Sequence, residues 1–384
     1  MKEKIINISV ILFVIVLFGS YSHGADKTPE NKQADTKPLI CKKWNPGHYV
    51  FASFGSTPKD IEEILSNPNN HIKGIQIVYS WRDLEPKKDT YNFSTIEEHL
   101  KIVKKYNKQL FISFSERKFH AKDKPVPAYL YDDPKYKGGA VTTKNGGSVA
   151  RIWDLAIMER SNKLIDELGK KVDNDPNIEG ITFAESSLDI NIKQLKNDYN
   201  DKAYADALIF RIDAAAKAFP NSVVLMDMNW GPSELVRVFE HLLKSGVGLG
   251  CPDLVPDQGR FAYKPRIPAY DFYTKYAGSI PLSVAVQSEN LIDPAWYFQH
   301  CSSRPNDAIC KKDKYGNYEK RKGDFTLDGF WDMGLNTLKV NYIFWCYVEE
   351  SRYKFRFMED ILPYINKHKG EINETCPKNV TIRR

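Results

Sequence analysis

The stretch Ile178-Glu-Gly-Ile-Thr-Phe-Ala-Glu-Ser-Ser187 combines the pattern of a buried strand with a carboxylate at its end. Its apolar run stops at Glu185, and two small hydroxyl residues follow. Strands that are buried on both faces of a parallel sheet are nearly continuous hydrophobic runs, so a charge at the carboxyl end needs a reason. In an α/β barrel, the loops that follow the strands carry the chemistry. The stretch therefore predicts a central strand with a functional carboxylate at its end.

Seven further runs of this kind alternate with helical patterns along the chain. Capping residues mark two of the helices: Thr57 precedes a proline at the first helical position, and Ser94 has Glu97 three residues later, the capping-box spacing. Alternating strands and helices indicate an α/β protein with a parallel sheet, and eight units are the number that closes a (β/α)8 TIM barrel. A doubly wound open sheet is the main rival, but no Gly-x-Gly-x-x-Gly follows the first strand. The predicted strands are residues 48–54, 72–80, 109–115, 178–184, 222–229, 246–251, 280–287 and 340–346.

The N-terminal 24 residues have the pattern of a secretory signal peptide. Lys2 and Lys4 precede an apolar run over residues 8–18, and small residues suitable for cleavage follow. The apolar run is shorter than a typical transmembrane helix, so we expect a secreted or periplasmic protein. The alternative is that the segment remains as an uncleaved anchor. No stable membrane partner is expected beyond this segment.

The remaining chain has the composition of a globular domain after a short linker. Residues 25–40 are polar and charged and predict a disordered linker, which leaves residues 41–384 as a single domain. The whole chain has 384 residues, of which 42% are hydrophobic and 27% charged, and its formal net charge is +6. This positive balance is mild and scattered among acidic residues, so nucleic acid is not an expected partner.

The six cysteines divide into two expected pairs and two expected thiols. Export permits disulfides. Cys251 and Cys346 lie in apolar runs that resemble strands, and we expect them to be buried thiols. No His/Cys spacing suggests zinc, and we expect neither a metal nor a cofactor. The expected pairs are Cys301 with Cys310, which bracket a polar loop, and Cys41 with Cys376, which lie near the two ends of the domain.

Polar and aromatic residues follow the predicted strands, and in a barrel all of them approach one face. Glycoside cleavage requires two carboxyl groups, one to protonate the departing oxygen and one to attack or to activate water. Because the set contains several carboxylates and tryptophans without a Ser/His/Asp arrangement, it predicts a glycan-cleaving site in which Glu185 is the proton donor. The alternative role for Glu116 and Arg117 is a mutual ion pair. The set comprises Trp81, Arg82, Glu116, Arg117, Glu185, Asp227, Asn229, Trp230, Asp253, Gln287, Glu289, Trp345 and Glu349.

The segment Trp81-Arg-Asp-Leu-Glu-Pro86, followed by Tyr91-Asn-Phe-Ser94, resembles a segment found after the second strand of many (β/α)8 glycoside hydrolases. These belong to the clan of β-galactosidases, cellulases and xylanases. The resemblance implies a general acid/base Glu at the end of the fourth strand, which Glu185 matches, although Ala184 stands where the clan usually has Asn. It also implies a nucleophilic Glu after the seventh strand and a Trp beneath the sugar after the eighth, where Trp345 stands.

The seventh strand offers two residues where the resemblance implies one glutamate. It ends Val286-Gln-Ser-Glu-Asn290, and a period of two places Gln287 and Glu289 on one face. With Glu289 as the nucleophile, we expect a retaining reaction if the two carboxyl groups are about 5 Å apart. With Gln287 in that place, the reaction would need an inverting route through Asp227, Asp253 or Glu349.

The sequence thus predicts a secreted glycosidase that cleaves O-glycosidic bonds in an oligosaccharide or polysaccharide, with Glu185 and Glu289 as catalytic residues. An inactive carbohydrate-binding or cell-envelope protein on the same scaffold is the alternative, and a polysaccharide lyase is a more distant one. The expected substrate-binding residues are Trp81, Arg117, Asp227, Asn229, Asp253, Gln287, Trp345 and Glu349.

Overall fold

A computed structural model describes residues 39–52, 57–67, 70–119, 124–195, 198–256, 267–307, 310 and 325–383. The predicted signal peptide, and all of the predicted linker before residue 39, lie outside these ranges. No helix within them is long and apolar enough to cross a membrane.

Eight parallel strands close into a barrel, which confirms the predicted (β/α)8 fold. Each strand pairs with its neighbour in the chain, and the last pairs with the first through Tyr342 opposite Gly47. The predicted strands extend up to two residues beyond the observed ends, at their starts as well as at the barrel mouth, because the apolar pattern continues into the adjoining loops. The strands are β1 Gly47–Ala52, β2 Gly74–Ser80, β3 Gln109–Ser115, β4 Ile178–Phe183, β5 Val223–Asp227, β6 Gly248–Cys251, β7 Leu282–Val286 and β8 Tyr342–Cys346.

Helices connect successive strands on the outside of the barrel. The first begins as predicted, because Thr57 and Asp60 form a reciprocal capping box. The capping box predicted for Ser94 is wrong: Ser94 is the first helical residue, and its hydroxyl donates to the side chain of Asn92 at 2.8 Å. The helices are Pro58–Leu65, Trp81–Leu84, Ser94–Lys105, Ala128–Asp132, Leu155–Val172, Asp201–Ala218, Leu235–Ser245, Tyr270–Tyr276, Pro294–Ser303, Leu327–Asp332 and Leu362–Lys367.

Aromatic rings fill the inside of the barrel. Phe111 packs edge-on against Tyr49 and Phe344, with ring centroids 5.1 Å apart in both pairs. Gly180 of β4 makes room for this layer, since a Cβ atom there would lie 2.7 Å from the Phe111 ring. The barrel is therefore a packed core rather than a pore, and chemistry is confined to its ends.

The two glutamates of the stretch 178–187 lie at opposite ends of β4. Glu179 is fully buried at the start of the strand. It accepts hydrogen bonds from the backbone N–H of Asn45 at 2.7 Å and from the Tyr342 hydroxyl at 2.7 Å. A second donor on Asn45, its side-chain amide, is 2.8 Å away. Glu179 thus fixes the closed end of the barrel, and Glu185 lies at the end where the loops diverge.

The cysteines follow the expected division where their side chains are described. Cys301 and Cys310 form a disulfide with Cα atoms 5.4 Å apart, and Cys251 and Cys346 are buried free thiols. Cys376 is also disulfide-bonded. The side chain of its predicted partner lies outside the described part of the chain.

Replacing both Cys301 and Cys310 with serine is expected to lower the free energy of unfolding by about 2–3 kcal/mol. The reason is loop closure: the bond joins positions nine residues apart, and the chain-entropy model gives about that value for so short a loop. Urea unfolding measures the change. Ser302→Ala, an exposed position in the same helix, should change the free energy by less than about 0.5 kcal/mol. A double variant as stable as the parent would contradict the prediction.

Candidate active site

Glu185 lies two residues after the end of β4, and two side chains that follow the neighbouring strands hold its carboxyl group. Arg117, which follows β3, places Nη1 2.8 Å from Oε1 of Glu185. Asn229, which follows β5, donates from Nδ2 to the other carboxyl oxygen. The Arg117 side chain is only 6% exposed, whereas that of Glu185 is 24% exposed. The carboxyl group is thus fixed in position but still open to a ligand at the barrel mouth.

A hydrogen-bond network fixes the orientation of the Asn229 amide. Its Oδ1 accepts from the backbone N–H groups of Ser187 at 3.0 Å and Trp230 at 2.8 Å. Because an amide oxygen used in this way turns the NH2 group outward, the donor faces Glu185. The Asn that the clan usually has before the acid is absent here, where Ala184 stands. The structure instead brings an amide to this carboxyl group from β5.

Glu116 and Arg117 are adjacent in the chain but do not form an ion pair with each other, so the alternative role predicted for them is wrong. Successive side chains along an extended segment point to opposite sides. Glu116 faces outward and forms a buried ion pair with Arg211 of the helix Asp201–Ala218, with side-chain exposures of 2% and 1%. Arg211 also donates to the Ser161 hydroxyl at 2.9 Å. Arg117 is thereby left to act on Glu185.

The electrostatics of the mouth favour protonated carboxyl groups. Burial raises the pKa of Glu185, while the charge of Arg117 and the hydrogen bond from Asn229 lower it. Burial raises the pKa of Asp227 to about 8, and the charges of Glu185 and Asp253 add to the increase. Asp253 also raises the pKa of Glu185. The structure therefore brings three of the predicted residues, Glu185, Asp227 and Asp253, within electrostatic reach of one another.

Two other candidate carboxylates have different surroundings. Glu289 is exposed and accepts a hydrogen bond from the Ser288 hydroxyl at 3.1 Å, and its charge acts on the Cys346 thiol. Glu349 accepts from the backbone N–H of Met358 at 2.8 Å. The charges that act on Asp227 are those of Glu185 and Asp253, rather than those of Glu289 or Glu349. Gln287 is half-buried directly after β7. Glu289 as nucleophile stays a prediction.

The two tryptophans predicted to bind substrate lie in the core. Trp81 and Trp345 are both 0% exposed. Trp81 donates its indole N–H to Glu85 at 2.9 Å, and Trp345 donates to His48 at 3.0 Å. The Trp81 segment thus has the architectural role of anchoring a turn. Because both rings are fully buried, neither offers an open face to a sugar. A position at the end of a strand does not specify this packing, so the sequence did not predict the burial.

A half-buried tryptophan that sequence reasoning did not select lies beside a groove near this end of the barrel. Trp296, in the helix Pro294–Ser303, stacks on His300 with ring centroids 4.6 Å apart. The groove has a volume of about 260 Å³, and Arg352 and Glu350 of the loop after β8 form a 2.9 Å ion pair within it. The sequence signal that could have identified Trp296 is an aromatic residue near the start of the helix that follows the seventh strand.

Within the described ranges, no group of His, Cys, Asp and Glu side chains is arranged to hold a metal ion.

Two solved structures share this architecture. GH5_18 from Streptomyces cattleya, solved in complex with Manb1-4GlcNAc, aligns with a TM-score of 0.52 over 87% of this chain and 83% of that chain, at 11% identity. The fold is the (β/α)8 barrel that this glycoside hydrolase also has. A beta-galactosidase from Rahnella sp. aligns with a TM-score of 0.53 over 90% of this chain and 58% of that chain, at 10% identity. No protein-family model matches the chain, and no curated protein matches it in sequence. At these identities, the likeness to glycoside hydrolases is one of fold.

Proposed function

We propose that the protein is a secreted glycoside hydrolase that cleaves O-glycosidic bonds in a glycan, with Glu185 as the general acid/base. One observation carries the proposal: in a glycoside hydrolase fold, a carboxyl group at the end of β4 is held by Arg117 and Asn229 beside two further carboxyl groups. Glycoside cleavage requires two carboxyl groups at one site, and this cluster provides three. The N-terminal pattern of Lys2, Lys4 and the apolar run supports export.

The surroundings of Glu185 suit a group that both holds and releases a proton. Burial favours the protonated form, which can donate to the glycosidic oxygen as the bond breaks. The carboxylate that remains after proton transfer lies 2.8 Å from the Arg117 guanidinium, which stabilises it. A water molecule then supplies the hydroxyl of the new sugar end. The other proton of that water molecule passes to a carboxylate of the site.

The experiment is a screen for turnover on aryl glycosides and polysaccharides, with binding measured on the same glycans. New reducing ends support the proposal. Binding without turnover supports the second candidate, a carbohydrate-binding protein, which the Arg117–Glu185 ion pair favours because it stabilises an ionised Glu185. Unsaturated products that absorb in the ultraviolet would instead identify a lyase.

The second catalytic carboxylate is tested by a pair of variants, Asp253→Asn and Glu289→Gln. We expect Asp253→Asn to cause the larger loss of kcat, about 100-fold or more, because the charge of Asp253 acts directly on Glu185. Glu289→Gln should retain kcat within about 10-fold, because its carboxylate is exposed. Steady-state kinetics on the best glycan of the screen measure both. The opposite order of losses would identify Glu289 as the nucleophile.

A further inference from the structure

Asp227 lies at the end of β5 in a recess that a glycine provides. The strand register places it beside Gly250 of β6, and Gly250 beside Ser283 of β7. A Cβ atom on Gly250 would lie 2.2 Å from Oδ1 of Asp227 and 2.8 Å from Oγ of Ser283. Both distances are well below carbon contact distances of about 3.5–4.0 Å. The Asp227 carboxyl group therefore occupies the space that any side chain at position 250 would need.

Among the described residues, the charges that act on Asp227 are both negative. Glu185 at the end of β4 and Asp253 after β6 both act on it. The charge of Asp227 also acts on the Cys251 thiol and the Tyr273 hydroxyl. Because burial raises the pKa of both groups, both are neutral. The cation that holds Glu185, Arg117, is engaged by that carboxyl group. An ionised Asp227 would thus be a third negative charge at the mouth, and no described residue supplies it with a cation.

Hydrogen bonding within the described part of the chain does not relieve this charge. The causes that shift the pKa of Asp227 are burial and the two carboxylates, and no hydrogen bond is among them. The Ser283 hydroxyl, fully buried on the strand beyond Gly250, has no hydrogen-bond partner among the described residues either. A half-buried carboxylate with no cation or donor among the described residues is unfavourable, and protonation removes the cost.

Glu185 and Asp227 therefore have contrasting surroundings at one site. Two donors hold the carboxyl group of Glu185, whereas Asp227 faces carboxylates, and its pKa rises to about 8. A carboxylic acid kept neutral near pH 7 can donate a hydrogen bond, which a carboxylate cannot. Carboxyl groups whose surroundings differ in this way can have different roles in catalysis.

We propose that Asp227 works as a neutral carboxylic acid that donates a hydrogen bond to an oxygen of the bound sugar, and that it is neither the nucleophile nor the base. This proposal rests on the glycosidase function proposed above. Gly250 gives the carboxyl group its recess, and the buried Ser283 hydroxyl borders the same space over Gly250. Ionisation of Asp227 would remove the donor and add a negative charge next to Glu185, so activity falls as pH rises through the pKa of Asp227.

Two substitutions separate a neutral donor from a nucleophile or base. Asn keeps a donor and carries no charge, so Asp227→Asn should retain kcat/KM within about 10-fold at pH 6.5 and lose less activity than the parent above pH 8. Asp227→Ala removes the donor and should lose about 10-fold or more. A loss of about 1,000-fold in Asp227→Asn would overturn the proposal, because a nucleophile or base cannot be replaced by an amide.

A stability measurement tests the protonation state without any glycan. Between about pH 4 and pH 8, the folded chain holds a proton on Asp227 that the unfolded chain has released, so this group stabilises the fold less as pH rises. Asp227→Asn has no such loss. The urea midpoint of Asp227→Asn relative to the parent should therefore increase steadily from pH 5 to pH 8.

The control is Asp166→Asn, an exposed aspartate that pairs with Lys170 on an outer helix. Its midpoint relative to the parent should stay constant over the same range. A constant difference for Asp227→Asn as well would overturn the proposal, because Asp227 would then be ionised in the fold. If the pH-dependent difference appears but no glycan is cleaved by the parent, the neutral state of Asp227 holds and the glycosidase function fails.

Discussion

Replacing Glu185 with glutamine is expected to lower kcat on polysaccharides by about 10²–10⁴-fold, the usual contribution of a positioned proton donor. Glutamine has the shape of glutamic acid but cannot transfer a proton to the departing oxygen. It also presents an NH2 group to one of two donors, Arg117 or Asn229, so a stability loss of about 1–3 kcal/mol accompanies the change. The fold and glycan binding should otherwise persist.

The choice of substrate shows whether the loss is one of proton donation. A dinitrophenyl leaving group departs without being protonated, so Glu185→Gln should lose far less activity on a dinitrophenyl glycoside than on a polysaccharide. Glu159→Gln, the same substitution on an exposed face of the helix Leu155–Val172, is the matched control and should behave as the parent does. Parental rates in Glu185→Gln on every substrate would refute the assignment.

The pH profile gives a second measure of the same role. A general acid must be protonated, so kcat/KM of the parent should fall as pH rises through the pKa of Glu185. Burial places that pKa above the usual range of a carboxyl group. In Glu185→Gln, the fall that belongs to this group should be absent.

The barrel was predictable because local patterns specify it. Eight apolar runs alternate with helices, and strand ends in a closed parallel sheet converge at one face. This alone places Glu185, Asp227 and Asp253 together, although they come from three different strands. The direction of the strand also separates Glu179, at the closed end, from Glu185, at the mouth. A single apolar run with a glutamate near each end thus contains one structural and one candidate functional residue.

The partners of these residues were not predictable, because they are distant in the chain and depend on packing. Arg117 is 68 residues from Glu185, and Arg211 is 95 residues from Glu116. No local pattern specifies which of two adjacent charges faces the mouth. Trp345 has the strand-end position of a sugar-binding ring, yet it is enclosed in the core beside His48. Position along a strand therefore predicts the end of the barrel at which a residue lies, and not its exposure.

Replacing Arg211 with methionine is expected to lower the free energy of unfolding by about 3–5 kcal/mol, the largest stability effect we predict. Arg211 and Glu116 form an ion pair whose side chains are 1% and 2% exposed. Removal of the cation leaves Glu116 as an unpaired buried carboxylate, which is much more costly than the pair is favourable. The Ser161 hydroxyl also loses a donor. Urea unfolding at neutral pH measures the change.

Two comparisons show that the loss comes from an unpaired buried charge. Arg237→Met breaks a pair with Asp206 whose side chains are 42% and 44% exposed, and such surface pairs contribute at most about 1 kcal/mol. The double variant Glu116→Gln with Arg211→Met should recover much of the loss, because it leaves no charge to bury. If the double variant were as unstable as Arg211→Met, packing of the long Arg211 side chain against Phe114 and Phe183 would be the cause instead.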